Sequence, residues 1–535
     1  MPTLTGAAVV ARELARLGVE RIFTLSGNQI LPLYDACLDA GLALIDTRHE
    51  AAAGHMAEAW GRLRDEPGVC LVSAGPGHTN TITAIANARA SETPVLWLSG
   101  GSELAQAGRG SFQELDQVAL AAPVCKAARR AESAAHLPEL LARAWRTMLE
   151  GRPGPVHLTL PADVLGQSAD APAPDPAAYR PVPQPADPAL VAEAVALLAR
   201  AERPLILAGP SAARGAAGRA LAALRERTGL PALTIESPRG LTDPALHGLG
   251  RSVPEADVVL LLALPDFAVA FAGPRAIAPD AQLIQVAPAA GELGRARPVA
   301  LGLAGDAASV LGQLGEAAAG HAWRADAWQA ELAARRARAR AELSAHEQSD
   351  ARPLHPLRVA AELRALLPPG ASVSLDGGEF GQWARWAFGD AGCVTLVNGK
   401  FGMIGPAIPF AIGAALARPG YPSVALLGDG TFGYHALEFD TAVRHGLPIV
   451  AVVGNDAGWA AERHRQVAQY GPDRIVASDL LPTRYDEVVR ALGGTGEFVQ
   501  SPAELRPALA RALASGRPAC VNVLIQSLPS PAAPV

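Results

Sequence analysis

Lysine is nearly missing from this 535-residue chain. Two lysines, Lys126 and Lys400, stand among 46 basic residues, and the remainder are arginine. Lysine-rich basic tails are excluded, and Schiff-base chemistry, including a pyridoxal phosphate linkage, has two positions at which it could occur. Cysteine is scarce as well: five residues, an odd number, with no Cys-x-x-Cys spacing. That argues against a disulfide scaffold or a zinc ribbon and fits reduced thiols. Long apolar runs are absent. A bilayer span needs about 18–20 residues, whereas runs such as Val-Val-Leu-Leu-Leu-Ala-Leu at 258–264 are strand-sized. The first twenty residues read as an amphipathic helix with charges inside it, not as a signal peptide. A net charge of −6 argues against nucleic acid as the main partner. The expectation is a cytoplasmic protein without a membrane or nucleic-acid partner.

What the chain does have is apolar content. Half its residues are hydrophobic and 18% are charged, enough for large buried cores and too apolar for global disorder. At about 100–200 residues per domain, the length allows roughly three domains. Proline-rich stretches at 166–188 and 349–356 mark linkers, because proline forbids regular helix or central strand. Between them, short β-branched runs alternate with helical patterns, which implies parallel sheets with crossover helices. The predicted fold is α/β with three domains, each a parallel sheet flanked by helices. Their expected limits are 1–165, 186–335 and 355–526, followed by a disordered tail at 527–535. The Arg-rich helical segment before the second linker reads as a solvated face.

The most informative stretch is 423–458. Gly428, Gly430 and Gly433 match Gly-x-Gly-x-x-Gly after a strand and before a helix, so a dinucleotide site is a rival. Asp429 argues against it, since a carboxylate there would meet a pyrophosphate unless a divalent cation bridged the two. Asp456, at the end of the next strand, can supply a second oxygen, because adjacent strands lie about 4.8 Å apart. Few protein oxygens with phosphate and water suit Mg²⁺. Amides at Gly430 and Thr431 can face the same diphosphate. Elsewhere, His-Glu-x-x-His fails at Ala53 and a Gly-x-Ser-x-Gly elbow fails at Leu71.

Gly-Asp-Gly followed by a helix, a strand and Asn-Asp resembles the diphosphate motif of thiamine-diphosphate enzymes, of the acetohydroxyacid synthase, pyruvate decarboxylase and benzaldehyde lyase type. The likeness runs from about residue 3 to 525 and leans to benzaldehyde lyase. It implies Asp429, Asp456 and the carbonyl of Gly458 as metal ligands, with Gly428, Gly430 and Thr431 at the diphosphate. The second ligand is usually asparagine, so Asp456 adds a negative charge that something must offset. Glu50, in Arg-His-Glu, matches the glutamate that hydrogen-bonds the aminopyrimidine and promotes its imino tautomer, a task that needs a dry pocket. In 396–406, Gly402 would offer a carbonyl to the 4′-amino group and Ile404 would wedge between the two rings. Gly381 and Gln382 resemble the family's Gly-Gln-His stretch, with Trp383 in place of histidine. Gly75 falls in a Gly-Pro-Gly turn that approaches the cofactor.

Two segments bear on substrate. Phe112-Gln113-Glu114 resembles the Phe-Gln-Glu of acetohydroxyacid synthases, and Gln113 takes the place of an active-site glutamine in benzaldehyde lyase. Asn28 and Gln29 stand where relatives carry histidine. Their amides can orient oxygens but cannot shuttle protons near neutral pH. The resemblance thus implies a transferase or lyase that uses thiamine diphosphate and Mg²⁺ to form or cleave C–C bonds on 2-keto acids, aldehydes or 2-hydroxy ketones. Catalytic residues are expected to be Glu50, Gln113, Gln29 and Asn28. Acetolactate synthase-like and benzaldehyde lyase-like carboligation lead; a 2-keto acid decarboxylase, a 2-hydroxyacyl-CoA lyase and, from another class, an NAD-dependent dehydrogenase are the alternatives. Flavin (FAD) is not expected, because 262–274 lacks the basic pair that flavin-bearing relatives carry. A homodimer or homotetramer follows from the resemblance.

Overall fold

The computed structural model describes residues 3–264 and 276–531. The flavin reading at 262–274 therefore falls largely outside the described residues. The chain forms two units: Met1–Val182 with Ile408–Gly420 and His435–Pro448, and Pro183–Ala407 with Tyr421–Tyr434 and Ile449–Val535.

In the first unit, a two-residue strand β1 (Leu4–Thr5) leads into a helix at Gly6–Arg16, capped by the Thr5 hydroxyl. The strands that follow are β2 (Arg21–Thr24), β3 (Ala43–Asp46), β4 (Gly68–Val72), β5 (Val95–Gly101), β6 (Ala127–Arg130) and β7 (Val156–Pro161). They form one parallel sheet in the order β3-β2-β4-β5-β7-β6. A short β8 (Ser168–Ala169) returns antiparallel to β1. Central strands such as β4 and β5 are buried throughout, which is why they read as continuous apolar runs rather than alternating ones.

The second unit holds two parallel sheets. β9 (Pro204–Ala208), β10 (Ala232–Thr234), β11 (Val258–Leu262), β12 (Gln282–Ala287) and β13 (Leu301–Ala304) pair in the order β10-β9-β11-β12-β13. β14 (Ser372–Leu375), β15 (Val394–Val397), β16 (Ser423–Gly428), β17 (Ile449–Asn455), β18 (Thr495–Val499) and β19 (Ala519–Leu524) pair in the order β15-β14-β16-β17-β19-β18. The two six-stranded sheets share one winding, second-first-third-fourth-sixth-fifth. Within the second unit, a buried Arg385–Asp243 ion pair joins the β14–β19 region to the loop after β10. The Arg-rich helix Asp326–Leu343 buries only Trp328 and Leu332, as a solvated helix should.

Two features differ from the sequence expectation. Segments 408–420 and 435–448, inside the range expected for the third domain, pack within the first unit. A Cβ at Gly413 would lie 2.9 Å from the Met56 carbonyl oxygen of the helix Glu50–Arg64, so glycine there permits close helix contact. The tail expected to be disordered is corrected over 527–531. Leu528 accepts a hydrogen bond from Trp383 Nε1 at 3.3 Å, and the Ser530 amide donates to Glu379 at 2.8 Å. Backbone groups with fixed partners order a proline-containing segment that composition alone assigns to coil.

The first unit also buries a charge-sensitive cluster. His78 stacks on Trp97, and His78 Nδ1 and His157 Nε2 lie 3.0 and 3.2 Å from Ser99 Oγ. Burial pushes the His78 pKa down from 6.5 to about 4. An unfolded histidine gains its proton near 6.5 and the folded one near 4, so the folded state loses stability as pH falls through that window. Urea unfolding at a series of pH values is expected to show stability declining from pH 6.5 towards 4, with a shallower decline in His78→Gln. Equal slopes in the two proteins would count against this assignment.

Candidate active site

The second unit's cavity begins with strand register. β16 and β17 run parallel with Gly428 opposite Gly454. Asp429 follows directly after β16, and Asp456 directly after β17, so both carboxylates leave the sheet at the same edge. They line a cavity of about 140 Å³ together with Gly428, Gly430, Thr431, Gly458 and Ile404. Trp459 and Trp383 complete part of its apolar wall. Glycine is required at two of these positions. A Cβ at Gly454 would meet the Phe380 ring at 2.5 Å, and one at Gly430 would meet the Trp459 ring at 2.6 Å.

The electrostatics are those of an incompletely neutralised pair. Burial, and after it the charge of nearby Asp456, raises the pKa of Asp429 to about 7. Asp429 also accepts the Gly458 amide at 3.0 Å. Burial likewise raises the pKa of Asp456, opposed by a hydrogen bond from Ser527 and by the charges of Arg463 and His464. The Arg463 guanidinium answers part of the difficulty posed by an aspartate where asparagine is usual, since its positive charge favours the ionised extra carboxylate.

Asp376 was not singled out by sequence reasoning, yet it organises this cavity. It follows β14, is fully buried, and accepts the amides of Gly377 at 2.8 Å, Gly405 at 2.8 Å and Ala407 at 3.1 Å. It therefore fixes the loop that carries Gly402 and Ile404. Gly402 has φ +74° and Gly405 φ +98°, conformations that suit glycine. Ile404 in turn packs over Gly377, where a Cβ would come within 2.6 Å of its Cγ2. Gly381 and Gln382 do not line the cavity. A Cβ at Gly381 would meet the Asp376 carbonyl oxygen at 2.1 Å, so that glycine serves close packing against the Asp376 backbone.

The first unit gathers the other expected residues. Glu50 opens the helix Glu50–Arg64, behind His49, whose Nδ1 accepts the Ala51 amide at 3.1 Å. Glu50 is half-buried and accepts Asn80 Nδ2 at 3.0 Å. A Cβ at Gly77 would lie 3.7 Å from its Oε1. Gln29 is buried and links two neighbours: Ser73 Oγ donates to its Oε1 at 2.5 Å, and its Nε2 donates to Gln113 Oε1 at 2.8 Å. Gln113 holds φ +59°, a sparsely populated region for a side-chain-bearing residue. Asn28, one residue before Gln29, is exposed. Gly75 has φ +58°, and its amide donates at 2.9 Å to the buried Gln117, a second residue the sequence reading missed.

Comparison with known proteins gives three family matches along the chain. The thiamine pyrophosphate enzyme N-terminal TPP-binding domain matches residues 4–120, the central domain 191–314 and the C-terminal TPP-binding domain 376–523. A probable acetolactate synthase from Mycobacterium bovis is 40% identical, over 98% of this chain and 96% of its own length. The chain belongs to the thiamine pyrophosphate enzyme family. Bovine 2-hydroxyacyl-CoA lyase 2 is 33% identical over 98% of this chain and 90% of its own. Oxalyl-CoA decarboxylase from Escherichia coli is 31% identical over 97% of this chain and 94% of its own. The protein is therefore an enzyme that depends on thiamine diphosphate, of transferase or lyase type.

The cavity fits the diphosphate end of that cofactor with a hard cation. Two carboxylates with raised pKa values, Asp429 buried and Asp456 half-buried, form a donor set that a divalent ion would relieve, and glycines leave backbone room for phosphate oxygens. Asp376 has a testable consequence here. Replacing it by alanine frees two amides of the loop that carries Ile404. Calorimetric titration with thiamine diphosphate and Mg²⁺ is expected to show affinity lowered about 10–100-fold in Asp376→Ala. Unchanged affinity would show that the loop holds its shape without this carboxylate.

Proposed function

We propose that this thiamine pyrophosphate enzyme, with Mg²⁺, makes or breaks a C–C bond beside a carbonyl of a 2-keto acid, aldehyde or 2-hydroxy ketone. The carrying observation is the carboxylate pair of buried Asp429 and half-buried Asp456 in one cavity with Gly458 and Ile404. Asp429, Asp456 and the Gly458 carbonyl would hold the cation, and Gly428, Gly430 and Thr431 would face the diphosphate. When bound, thiamine diphosphate supplies the electron sink for the reaction. Ile404 would prop the bent cofactor and the Gly402 carbonyl would accept from its 4′-amino group. Gly75 would give backbone access near the ring, and Gly381 and Gln382 would support the site from behind Asp376. Glu50 holds and moves a proton at its carboxyl. In the isolated chain it is half-exposed, so the dry pocket this role needs would come from a second subunit in a homodimer or homotetramer.

Acetolactate synthase-like carboligation is the leading reaction. It is supported by the near full-length likeness to the mycobacterial protein and by the Gln29–Gln113 amide pair, with Asn28 beside it, which can orient substrate oxygens without moving protons. A lyase or decarboxylase reaction on acyl-CoA substrates is the second reading, supported by the likeness to the bovine and Escherichia coli proteins. We place the enzyme in the cytoplasm, acting on small molecules without nucleic acid or membrane. No helix among the described residues is long and apolar enough to cross a bilayer. The domain limits 1–165, 186–335 and 355–526 belong to the same reading.

Product analysis tests it. With pyruvate as sole substrate, the enzyme is expected to release acetolactate and CO₂. Cleavage of 2-hydroxyacyl-CoA with no turnover of pyruvate would favour the second reading, and acetaldehyde alone would mark a 2-keto acid decarboxylase instead. Glu50→Gln is expected to lower kcat by about 10²–10⁴-fold with little change in cofactor affinity. Turnover unaltered in that variant would remove Glu50 from the mechanism.

A further inference from the structure

The residues that launch the Glu50 helix are held by a segment some 390 positions away in sequence. Glu438 is fully buried in the helix Glu438–Arg444. Its two carboxylate oxygens accept the Arg48 amide at 3.1 and 3.2 Å, and the His49 amide also bonds to it. Thr441 Oγ1 donates to the same carboxylate at 2.6 Å. Around this centre lie more exposed contacts. Arg444 reaches the Asp46 side chain at 2.5 Å and its carbonyl at 2.9 Å, His445 Nε2 lies 3.1 Å from Asp46 Oδ1, and Arg48 Nη1 lies 3.4 Å from Asp440.

Burying a carboxylate is costly unless donors satisfy it. Here the donors are main-chain amides immediately before Glu50, so the carboxylate's stability and the position of the helix start depend on each other. The outer pairs are screened by solvent and contribute little individually. Thr47 completes the arrangement, its single Oγ1 proton lying within hydrogen-bond reach of the Thr24 carbonyl at 3.1 Å and of the His49 carbonyl at 2.9 Å. The turn 46–49 is therefore fixed from the sheet side and from the Glu438 side.

The geometry points to Glu438 as a positioning residue for Glu50, acting through the Arg48 and His49 amides and not through substrate. This rests on the reading of Glu50 as the cofactor-activating carboxyl. Glu438→Gln keeps the side-chain volume but turns an NH₂ group towards a backbone donor, so one amide loses its acceptor.

Two measurements on the full-length enzyme test this. Hydrogen–deuterium exchange over residues 46–53 is expected to rise about tenfold in Glu438→Gln. Turnover kcat should fall about 10–10²-fold, since small misplacements of a catalytic group carry that penalty, while cofactor affinity and KM stay within about twofold. Unchanged exchange overturns the proposal, and so does raised exchange with kcat near wild type, which would make the bonds merely structural. If Glu438→Gln does not fold, Thr441→Val removes one donor from the same carboxylate. It should move exchange and kcat in the same direction by a smaller factor, and no change in either again overturns the proposal. Glu50→Gln separates the two readings: it should lose turnover with exchange at 46–49 unaltered. Full turnover there would refute the role of Glu50, while the exchange result for Glu438→Gln would still report on the clamp.

Discussion

The structure turns on one register. Parallel pairing of β16 with β17, Gly428 opposite Gly454, sends two aspartates out of the same sheet edge into a buried cavity. Burial disfavours both charges and raises both pKa values, and at Asp429 the charge of Asp456 adds to the rise. Much of the surrounding structure is organised by it. The Gly458 amide, Ser527, Arg463 and His464 all oppose the rise, and a cation would complete the neutralisation.

Both six-stranded sheets have the same winding, and both place their loops of interest where the strand order reverses. In the third sheet the reversal lies between β14 and β16, from which Asp376 and Asp429 emerge. In the first it lies between β2 and β4, whose ends lead to Gln29 and to Ser73–Gly75. Crevices outside the carboxyl ends of strands at such points are where open α/β sheets bind ligands. Each crevice has its own buried side chain that ties a strained loop to the scaffold, Asp376 for the loop at 402–405 and Gln117 for Gly75. A loop fixed in this way can present groups with the rigidity of a strand.

The legible part of the site was local. A strand, Gly-Asp-Gly and a helix occupy adjacent residues, so the cavity position of Asp429, Gly430 and Thr431 could be read from a dozen letters. Parallel strands and their crossovers were legible for the same reason, through apolar runs at short range. Asp376 and Glu438 were not legible, because their partners are backbone amides 29 and 390 residues away that carry no sequence signature. Gly381 looked like a cofactor glycine because its neighbours fit a motif, but the space it saves is against the Asp376 carbonyl. The tail at 527–531 looked disordered because composition records proline and serine, not the Trp383 and Glu379 groups that bind its backbone.

The scarcity of lysine carries no mechanistic weight. Lys400 falls in the loop that bears Gly402 and Ile404, and no step assigned to this chain needs an amine. The weight rests on the carboxylates. A crystal structure of the enzyme with thiamine diphosphate and Mg²⁺ tests them most directly. The account predicts a cation bound by Asp429, Asp456 and the Gly458 carbonyl, with the diphosphate in the same cavity and Ile404 in contact with the cofactor. A diphosphate bound elsewhere, or a cation that leaves Asp456 unligated, would contradict it.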